Sequence, residues 1–289
     1  MAKNKLGGMR NRRIAGDIVT YVFLVIVCAI WLIPFFWLVM QSFRDGKGQF
    51  ISTFLPTKYT LNNYKALFTE FDVMNFPRMF LNTFGIACCT CVISTFFVLS
   101  VSYCTSRLKW KMRKPYMNMA MILNLFPGFM TMVAVYFILK ALGMTEGNKI
   151  PLALIICFSS GAGTQFYVMK GFMDTIPKAL DEAAAIDGCG PVKILYKIIA
   201  PMLSPSLVAC GLFQFMWSCN DYMGPLLYVQ TPSKYPMSIF VKLSMDADAG
   251  FSWNRILALS LISIIPQLIV FFCAQDAFID GISAGAVKG

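Results

Sequence analysis

Six apolar stretches, each long enough to cross a lipid bilayer, constrain this chain more tightly than any other feature. They lie near residues 18–43, 80–106, 116–141, 150–170, 204–230 and 256–279. The hydrocarbon core of a bilayer is about 30 Å thick, so a helix rising ~1.5 Å per residue needs ~20 residues to span it. Backbone N–H and C=O groups find no water there, which leaves helices and closed barrels as the spanning structures. The continuity of the apolar runs predicts helices. The expected fold is therefore all-α and integral to the membrane, with six transmembrane helices. Residues 1–17 form an N-terminal tail, 18–279 the six-span domain and 280–289 a C-terminal tail.

Composition supports this reading. Of the 289 residues 57% are hydrophobic and 13% charged, and mean hydropathy is +0.65, whereas soluble domains carry about 25% charge. The net charge of +11 would suit an anionic surface or nucleic acid. The positive residues, however, flank the apolar spans as topology signals do, and no nucleic-acid signature occurs, so no nucleic acid partner is expected. Most of the ten cysteines, among them Cys28, Cys88, Cys89, Cys91, Cys157 and Cys273, sit inside apolar runs, where cysteine acts as a small hydrophobe. There is no histidine, which removes the commonest zinc and iron ligand. Neither a metal nor another cofactor is expected, and the thiols are expected to be reduced.

The first span follows "KNKLGGMRNRR". It exceeds a signal-peptide h-region of roughly 7–15 residues, and no small-residue cleavage site follows, so it is expected to remain as a signal anchor. Orientation follows from Lys and Arg. Lys3, Lys5, Arg10, Arg12 and Arg13 precede span one, and "RLKWKMRKP" holds Arg107, Lys109, Lys111, Arg113 and Lys114. With six spans these segments share one side, cytoplasmic, with the 171–203 loop and the C-terminus. The segments 44–79, 142–149 and 231–255 then face outward, the first including "FLPTKYTLNNYKALF", which fits a short amphipathic helix. Pro34, Pro127, Pro225, Pro266, Asn124 and Gln214 fall at membrane depth. Proline there kinks a helix and frees a carbonyl, which suits either a pathway lining or ordinary helix packing.

Between spans four and five stands "GFMDTIPKALDEAAAIDGCGPVKILYKIIAPML", residues 171–203. Local rules make it a helix–turn–helix. Pro177 fits a first helical turn, with Asp174 or Thr175 as cap. Alanine favours helix from Lys178 to Asp187, and Gly188 and Gly190 supply the stop. Pro191 opens a second helix that runs to about Ile199 and ends at Pro201. Asp181 and Glu182 lie in early turns, where the helix dipole favours negative charge. A solvated amphipathic connection would account for the charges. Ala183, Ala184 and Ala185 instead suggest a slim face open to close approach, beside carboxylates able to take charge-assisted bonds from an arginine on a partner.

"EAAAIDG" followed by "ILYKIIAP" resembles the EAA signature of ABC-importer permeases, E-A-A-x-x-x-G and then I-x-L-P. Glu182, Ala183, Ala184, Gly188, Ile198 and Pro201 match, and Ala200 stands where the pattern has leucine. "WLIPFFWLVMQSFR", "WSCNDYMGPLLYV" and the terminal "DGISAGAVKG" resemble the carbohydrate-uptake branch, relatives of the maltose-type inner permease.

The resemblance implies a type I ABC importer permease in the bacterial cytoplasmic membrane. Its expected partners are a second homologous permease, two ATP-binding subunits, an extracellular solute-binding protein, a sugar substrate and membrane lipid. In this family the EAA loop is a cytoplasmic coupling helix docked on the ATPase. That role falls here on Glu182, Ala183, Ala184, Asp187 and Gly188, with Gly190 beside them. The chain is not expected to be an enzyme, because it lacks G-x-x-x-x-G-K-[ST]. "GAGTQFYVMKG" has glycines without that spacing.

In span five, Asn220 and Asp221 interrupt an apolar run, and a charge at membrane depth defaults to a functional reading. Gln214, Trp217, Asn220, Asp221 and Tyr222 are candidate pathway residues, the aromatics for stacking on a sugar and the amides for its hydroxyls. Bonding of a kinked backbone beside Pro225 is the alternative. Gly281, Gly285 and Gly289 with Lys288 suggest a flexible tail, placed by the family match near the ATPase. Two other classes stand against the importer reading. One is a secondary transporter or channel using Asp221; the other is a membrane enzyme, disfavoured by the lack of histidine and of clustered acids. The orientation is tested by a single cysteine at Lys111 in a background stripped of the native cysteines. It is expected to resist a membrane-impermeant maleimide in intact cells, and labelling from outside overturns the assignment.

Overall fold

The computed structural model describes residues 2–46, 53–71, 75–160, 165–245 and 252–286. Among them are fourteen α-helices and no strand beyond an isolated antiparallel bridge between Arg44 and Tyr59. In chain order they are α1 Ala2–Ser42, α2 Asn62–Thr69, α3 Phe76–Ser106, α4 Arg113–Leu123, α5 Gly128–Ala141, α6 Ile150–Ser160 and α7 Gln165–Thr175. There follow α8 Ala179–Ile186, α9 Pro191–Ile194, α10 Ala200–Met202, α11 Ser204–Asn220, α12 Met223–Tyr228, α13 Met237–Ser244 and α14 Trp253–Ala286.

Three helices are long and apolar enough to cross a membrane alone, within Gly16–Ser42, Phe76–Ser106 and Trp253–Ile279. Three further bent pairs raise the number to as many as six by length and composition. The third apolar stretch is broken between α4 and α5, which meet at 101°. Pro127, at φ −56° and ψ 127°, lacks the N–H that would continue the helix. Asn124 closes α4 by donating from Nδ2 to the Ala120 carbonyl at 2.8 Å. The break in the fourth stretch includes 161–164, so the glycines of "GAGTQFYVMKG" lie outside the described residues. Pro34 and Pro266, by contrast, sit inside the unbroken α1 and α14.

The C-terminal tail differs from expectation. The N-terminal tail is helical from Ala2 and continuous with span one. The segment expected to be a flexible C-terminal tail continues α14 through Gly281 and Gly285 to Ala286, while Lys288 and Gly289 lie outside the described residues. Helix propagation adds a bond for each residue fixed once nucleation has been met, so two glycines do not stop it.

The chain divides into two compact units. The first comprises Met1–Thr69 and Gly250–Leu261. In it, the end of α1 is tied by side-chain bonds: Ser42 Oγ lies 2.7 Å from the Tyr64 hydroxyl. Asn63 Nδ2 donates to the Ser42 and Arg44 carbonyls, both at 2.9 Å. Asn254 Nδ2 reaches the Arg44 and Gly46 carbonyls. The short helix expected in this segment is α2, which buries Ala66 and Leu67.

In the second unit, Glu70–Ala249 and Ile262–Gly289, α3 is central and packs against α6, α7, α11 and α13. Its inward stripe is Thr83, Ala87, Thr90, Ser94, Val98, Ser102 and Ser106, all buried. Lipid supplies no hydrophobic drive between helices, so small residues that let backbones approach are what hold them. The closest approach is at Gly211 of α11. Cys91 Sγ donates to its carbonyl at 3.3 Å, and a Cβ there would lie 3.2 Å from Thr95 Oγ1 and 3.3 Å from Cys91 Sγ. Cys88 and Cys91, at C-x-x-C spacing, are free like all ten cysteines. Overpacking costs about 1–3 kcal/mol, more where backbones must part. Gly211→Leu is therefore expected to abolish a monodisperse peak in detergent chromatography, while Gly85→Leu, in open space, keeps it. A normal profile for Gly211→Leu would show that the approach carries no packing.

Candidate functional site

The 171–203 segment is a helical hairpin whose start differs from the sequence expectation. Helix α8 begins at Ala179 behind Lys178, with no side-chain cap. Thr175 and Asp174, expected as caps, end the preceding α7 instead. Thr175 Oγ1 donates to the Phe172 carbonyl at 2.8 Å, and Asp174 accepts from Ser106 and Lys170. The cause is Pro177, which disfavours helical geometry at Ile176 and so terminates α7 first. The far end of α8 follows expectation. Gly188 adopts φ +79°, its N–H donates to the Ala185 carbonyl at 3.1 Å, and Cys189 N–H donates to that of Ala184 at 2.9 Å. This paired 5→2 and 6→1 pattern is the Schellman motif. Gly190, at φ −72° and ψ 163°, is ordinary extended backbone leading to Pro191.

The second arm does not end at Pro201. After α9 the backbone widens into a π-turn over Leu195–Ile199, with Ala200 N–H donating to the Leu195 carbonyl, and α10 carries Pro201 inside it. Widening the turn relieves the clash between a proline ring and the carbonyl four residues back. Ile198 falls within the π-turn and Ala200 directly after it.

One face of the hairpin is packed. Ala184, 7% exposed, shares a core with Ile194, Leu195, Ile199 and Leu203 of the second arm and its junction, Val98 and Tyr103 of α3, and Met169 and Met173 of α7. Ala184 therefore departs from the expected contact face: it is small because α8 sits close on this core. Glu182, Ala183, Asp187, Gly188 and Gly190 are exposed. Ile186, which sequence reasoning passed over, is 87% exposed one turn beyond Glu182. Its signal was available as a large apolar residue four positions after the glutamate of the signature.

Asp181 belongs to neither face. Its Oδ2 lies 3.0 Å from Arg107 Nε, the arginine side chain being 4% and the aspartate's 17% exposed. Arg107 Nη2 also donates to the carbonyls of Met173 and Ile176, at 2.9 and 2.8 Å. A single guanidinium, standing at the C-cap of α3, thus ties together the end of α3, the last carbonyls of α7 and the first turn of α8. A planar fork of five donors suits this task. In the sequence Arg107 reads as one of several basic loop residues, and nothing local marks it as the buried one.

The five fifth-span candidates do not converge. Gln214 is buried, its Nε2 donating to the Phe158 carbonyl at 2.8 Å. Trp217 is 65% exposed and Tyr222 38%. Asn220 donates to Gln267 Oε1 at 2.8 Å and to the Met216 carbonyl. Gln267, beside Pro266, is a partner that sequence reasoning missed. Asp221 ends α11 in an extended conformation; its Oδ1 accepts from Met223 N–H at 3.2 Å, at the start of α12. Its carboxylate therefore stabilises the restart of the helix.

Residues 97–282 match a family described as "Binding-protein-dependent transport system inner membrane component". The chain is similar to a galactooligosaccharides transport system permease protein of Bacillus subtilis (strain 168), 28% identical over 284 residues, 98% of this chain and 100% of the relative. It is 30% identical over 270 residues to a probable starch degradation products transport system permease protein of Thermoanaerobacterium thermosulfurigenes, covering 91% and 94%. A trehalose/maltose transport system permease protein of Thermococcus litoralis is 26% identical over 94% of this chain and 96% of its own. Among solved structures, a bacterial ABC transporter involved in alginate import matches with a TM-score of 0.77 at 21% identity, over 93% of this chain and 98% of that one.

Removing one member of a buried ion pair costs about 3–5 kcal/mol. Arg107→Met is accordingly expected to lower the thermal stability of the purified protein markedly, since it strands Asp181 and two carbonyls. Asp181→Asn, which leaves Arg107 its backbone acceptors, is expected to lower it less. Equal melting temperatures for Arg107→Met and wild type would remove Arg107 from this role.

Proposed function

The chain belongs to the family of binding-protein-dependent transport system inner membrane components, and on that premise we propose that it forms half of the pore through which a sugar or oligosaccharide is imported. It is a transport permease with the all-α fold of type I ABC importers. The carbohydrate cargo is supported by relatives whose names refer to galactooligosaccharides, starch degradation products and trehalose or maltose. A second homologous permease completes the pore, an extracellular solute-binding protein delivers the cargo, and two separate ATP-binding subunits supply the energy. This chain carries no phosphate-binding loop of its own. We assign both termini and the 171–203 hairpin to the cytoplasm, a reading that the basic segments at 3–13 and 107–114 support.

The observation that carries this reading is the two-sided character of α8. Glu182, Ala183, Ile186 and Asp187 are exposed, while Ala184 and Asp181 are held from behind. The exposed side offers carboxylates for charge-assisted bonds and an apolar knob for a groove on the ATPase. Gly188 supports this contact by ending the helix sharply, and Gly190 by leading the chain away. Motion imposed on the exposed side passes through the Arg107 clamp and the shared core to α3, α7 and α11. Alternating access follows as rigid-body displacement of packed helices, because close-packed cores shift between arrangements and do not deform smoothly.

In the pathway, Trp217 and Tyr222 offer aromatic faces for sugar stacking, and the Asn220–Gln267 amide pair offers donors and acceptors for hydroxyls. Gln214 and Asp221 hold the surrounding helices in place. Glu182→Lys reverses charge at an exposed site and leaves the fold intact. Uptake in cells is expected to fall at least tenfold, and the ATP-binding subunits are expected to be lost from the purified permease. Undiminished uptake and co-purification would defeat the coupling role.

A further inference from the structure

The loop between α3 and α4 and the groove beside it are built in the order of an anionic phospholipid. Lys109, Lys111, Arg113 and Lys114, with Trp110 and Pro115, line an open basin of about 620 Å³ that no carboxylate enters. Trp110 is fixed by donating from Nε1 to the Cys104 carbonyl at 3.0 Å, and its ring lies 5.9 Å from that of Tyr116. Tyr116, 6.2 Å from Phe166, is in turn part of the wall of a second cavity of about 490 Å³. That cavity is apolar, formed by Ile93, Phe97, Val101, Ile156 and Phe166 among others. Ser159 and Ser160 are its polar members, and Ser160 turns its hydroxyl to the Cys157 carbonyl. Cations, an aromatic belt and an apolar slot thus follow one another from the loop into the bundle.

Each part matches one region of a lipid. Juxtamembrane Lys and Arg attract anionic headgroups, and tryptophan and tyrosine favour the headgroup boundary. The slot follows α3 from Val101 back to Ile93, about 12 Å of helix, close to the ~15 Å of hydrocarbon in one leaflet. We propose that an anionic phospholipid of the cytoplasmic leaflet binds here, its phosphate among Lys109, Lys111, Arg113 and Lys114 and one acyl chain in the slot between α3, α4, α6 and α7. The proposal concerns neither cargo nor ATPase; it shares with the transport reading only the cytoplasmic placement of the loop. The charge pattern also favours a lipid over a protein occupant: Arg113 already faces Asp174, but an apolar helix of a partner would bring no counter-charge to Lys109, Lys111 and Lys114 beside the slot.

Native mass spectrometry of the purified transporter, titrated with phosphatidylglycerol or phosphatidylcholine of equal chain length, tests this. The wild type is expected to prefer phosphatidylglycerol about tenfold or more. Lys109→Gln with Lys111→Gln is expected to erase that preference while the weaker binding of both lipids persists. Ile156→Trp fills the slot and is expected to abolish retention of both. Excess inorganic phosphate is expected to leave the lipid bound, since it lacks a chain. Equal retention of the two lipids by the wild type overturns the proposal. So does a preference unchanged in the lysine variant, or displacement by inorganic phosphate. If Ile156→Trp releases the second permease with lipid retention unaltered, the slot is a seam between subunits and the lipid assignment is wrong.

Discussion

A guanidinium at the end of a transmembrane helix holds the 171–203 hairpin to the bundle. Arg107 is almost wholly withdrawn from water; it donates to two carbonyls and stands at ion-pair distance from one carboxylate, while its Nη1 and the second Asp181 oxygen have no hydrogen-bond partner. Such burial is expensive, and the attraction offsets desolvation only when geometry and hydrogen bonds are good. What the arrangement supplies is position. Asp181 at the start of α8 and the Met173 and Ile176 carbonyls at the close of α7 can be reached together only if α7 ends and α8 begins where they do. The hairpin is for that reason part of the bundle, and its outer face is presented at a defined height and angle.

The second constraint is the demand that backbone groups be satisfied within the bilayer. At two interruptions among the described residues a side chain answers the break. Asn124 takes the Ala120 carbonyl where α4 stops at the Pro127 break. Asp221 accepts the Met223 N–H where α11 gives way to α12, and Ser238 donates to the Asp221 carbonyl. The π-turn before Pro201 is the same problem solved by backbone alone. Polar residues in a greasy sequence thus include those that repair a broken helix, those that pack or bond between helices, such as Ser94 and Gln214, and those left facing outward, such as Trp217 and Tyr222.

The spans and the hairpin were legible because length, apolar continuity and the proline and glycine punctuation are local properties. The Schellman end of α8 could be read from Gly188 alone. Tertiary relations could not. Asp174 satisfies every local rule for a cap, yet Ser106 and Lys170 claim it. Ala184 looks like its neighbours Ala183 and Ala185, and only the position of the core behind α8 separates it from them. Arg107 stands in a run of cations with nothing nearby to distinguish it. The inward stripe of α3 had a signal, small polar residues recurring every three or four positions, but it was masked by the apolar residues that face outward. The C-terminal segment shows the opposite error, in which glycines suggested an end that the helix ignored.

The contact at Gly211 has a consequence for how this protein can vary over time. The space between α3 and α11 is shared by three side chains, Cys91, Thr95 and the missing one at 211. Volume added at one of these positions must be surrendered at another, so they form a single inherited quantity. A lineage acquiring alanine at 211 sets its Cβ 3.2 Å from Thr95 Oγ1 and 3.3 Å from Cys91 Sγ, a crowding that is relieved where alanine has replaced Thr95 or Cys91. Substitutions that are each harmful in this chain thereby become neutral in sequence, and the order in which they arise decides which descendants remain able to close the bundle.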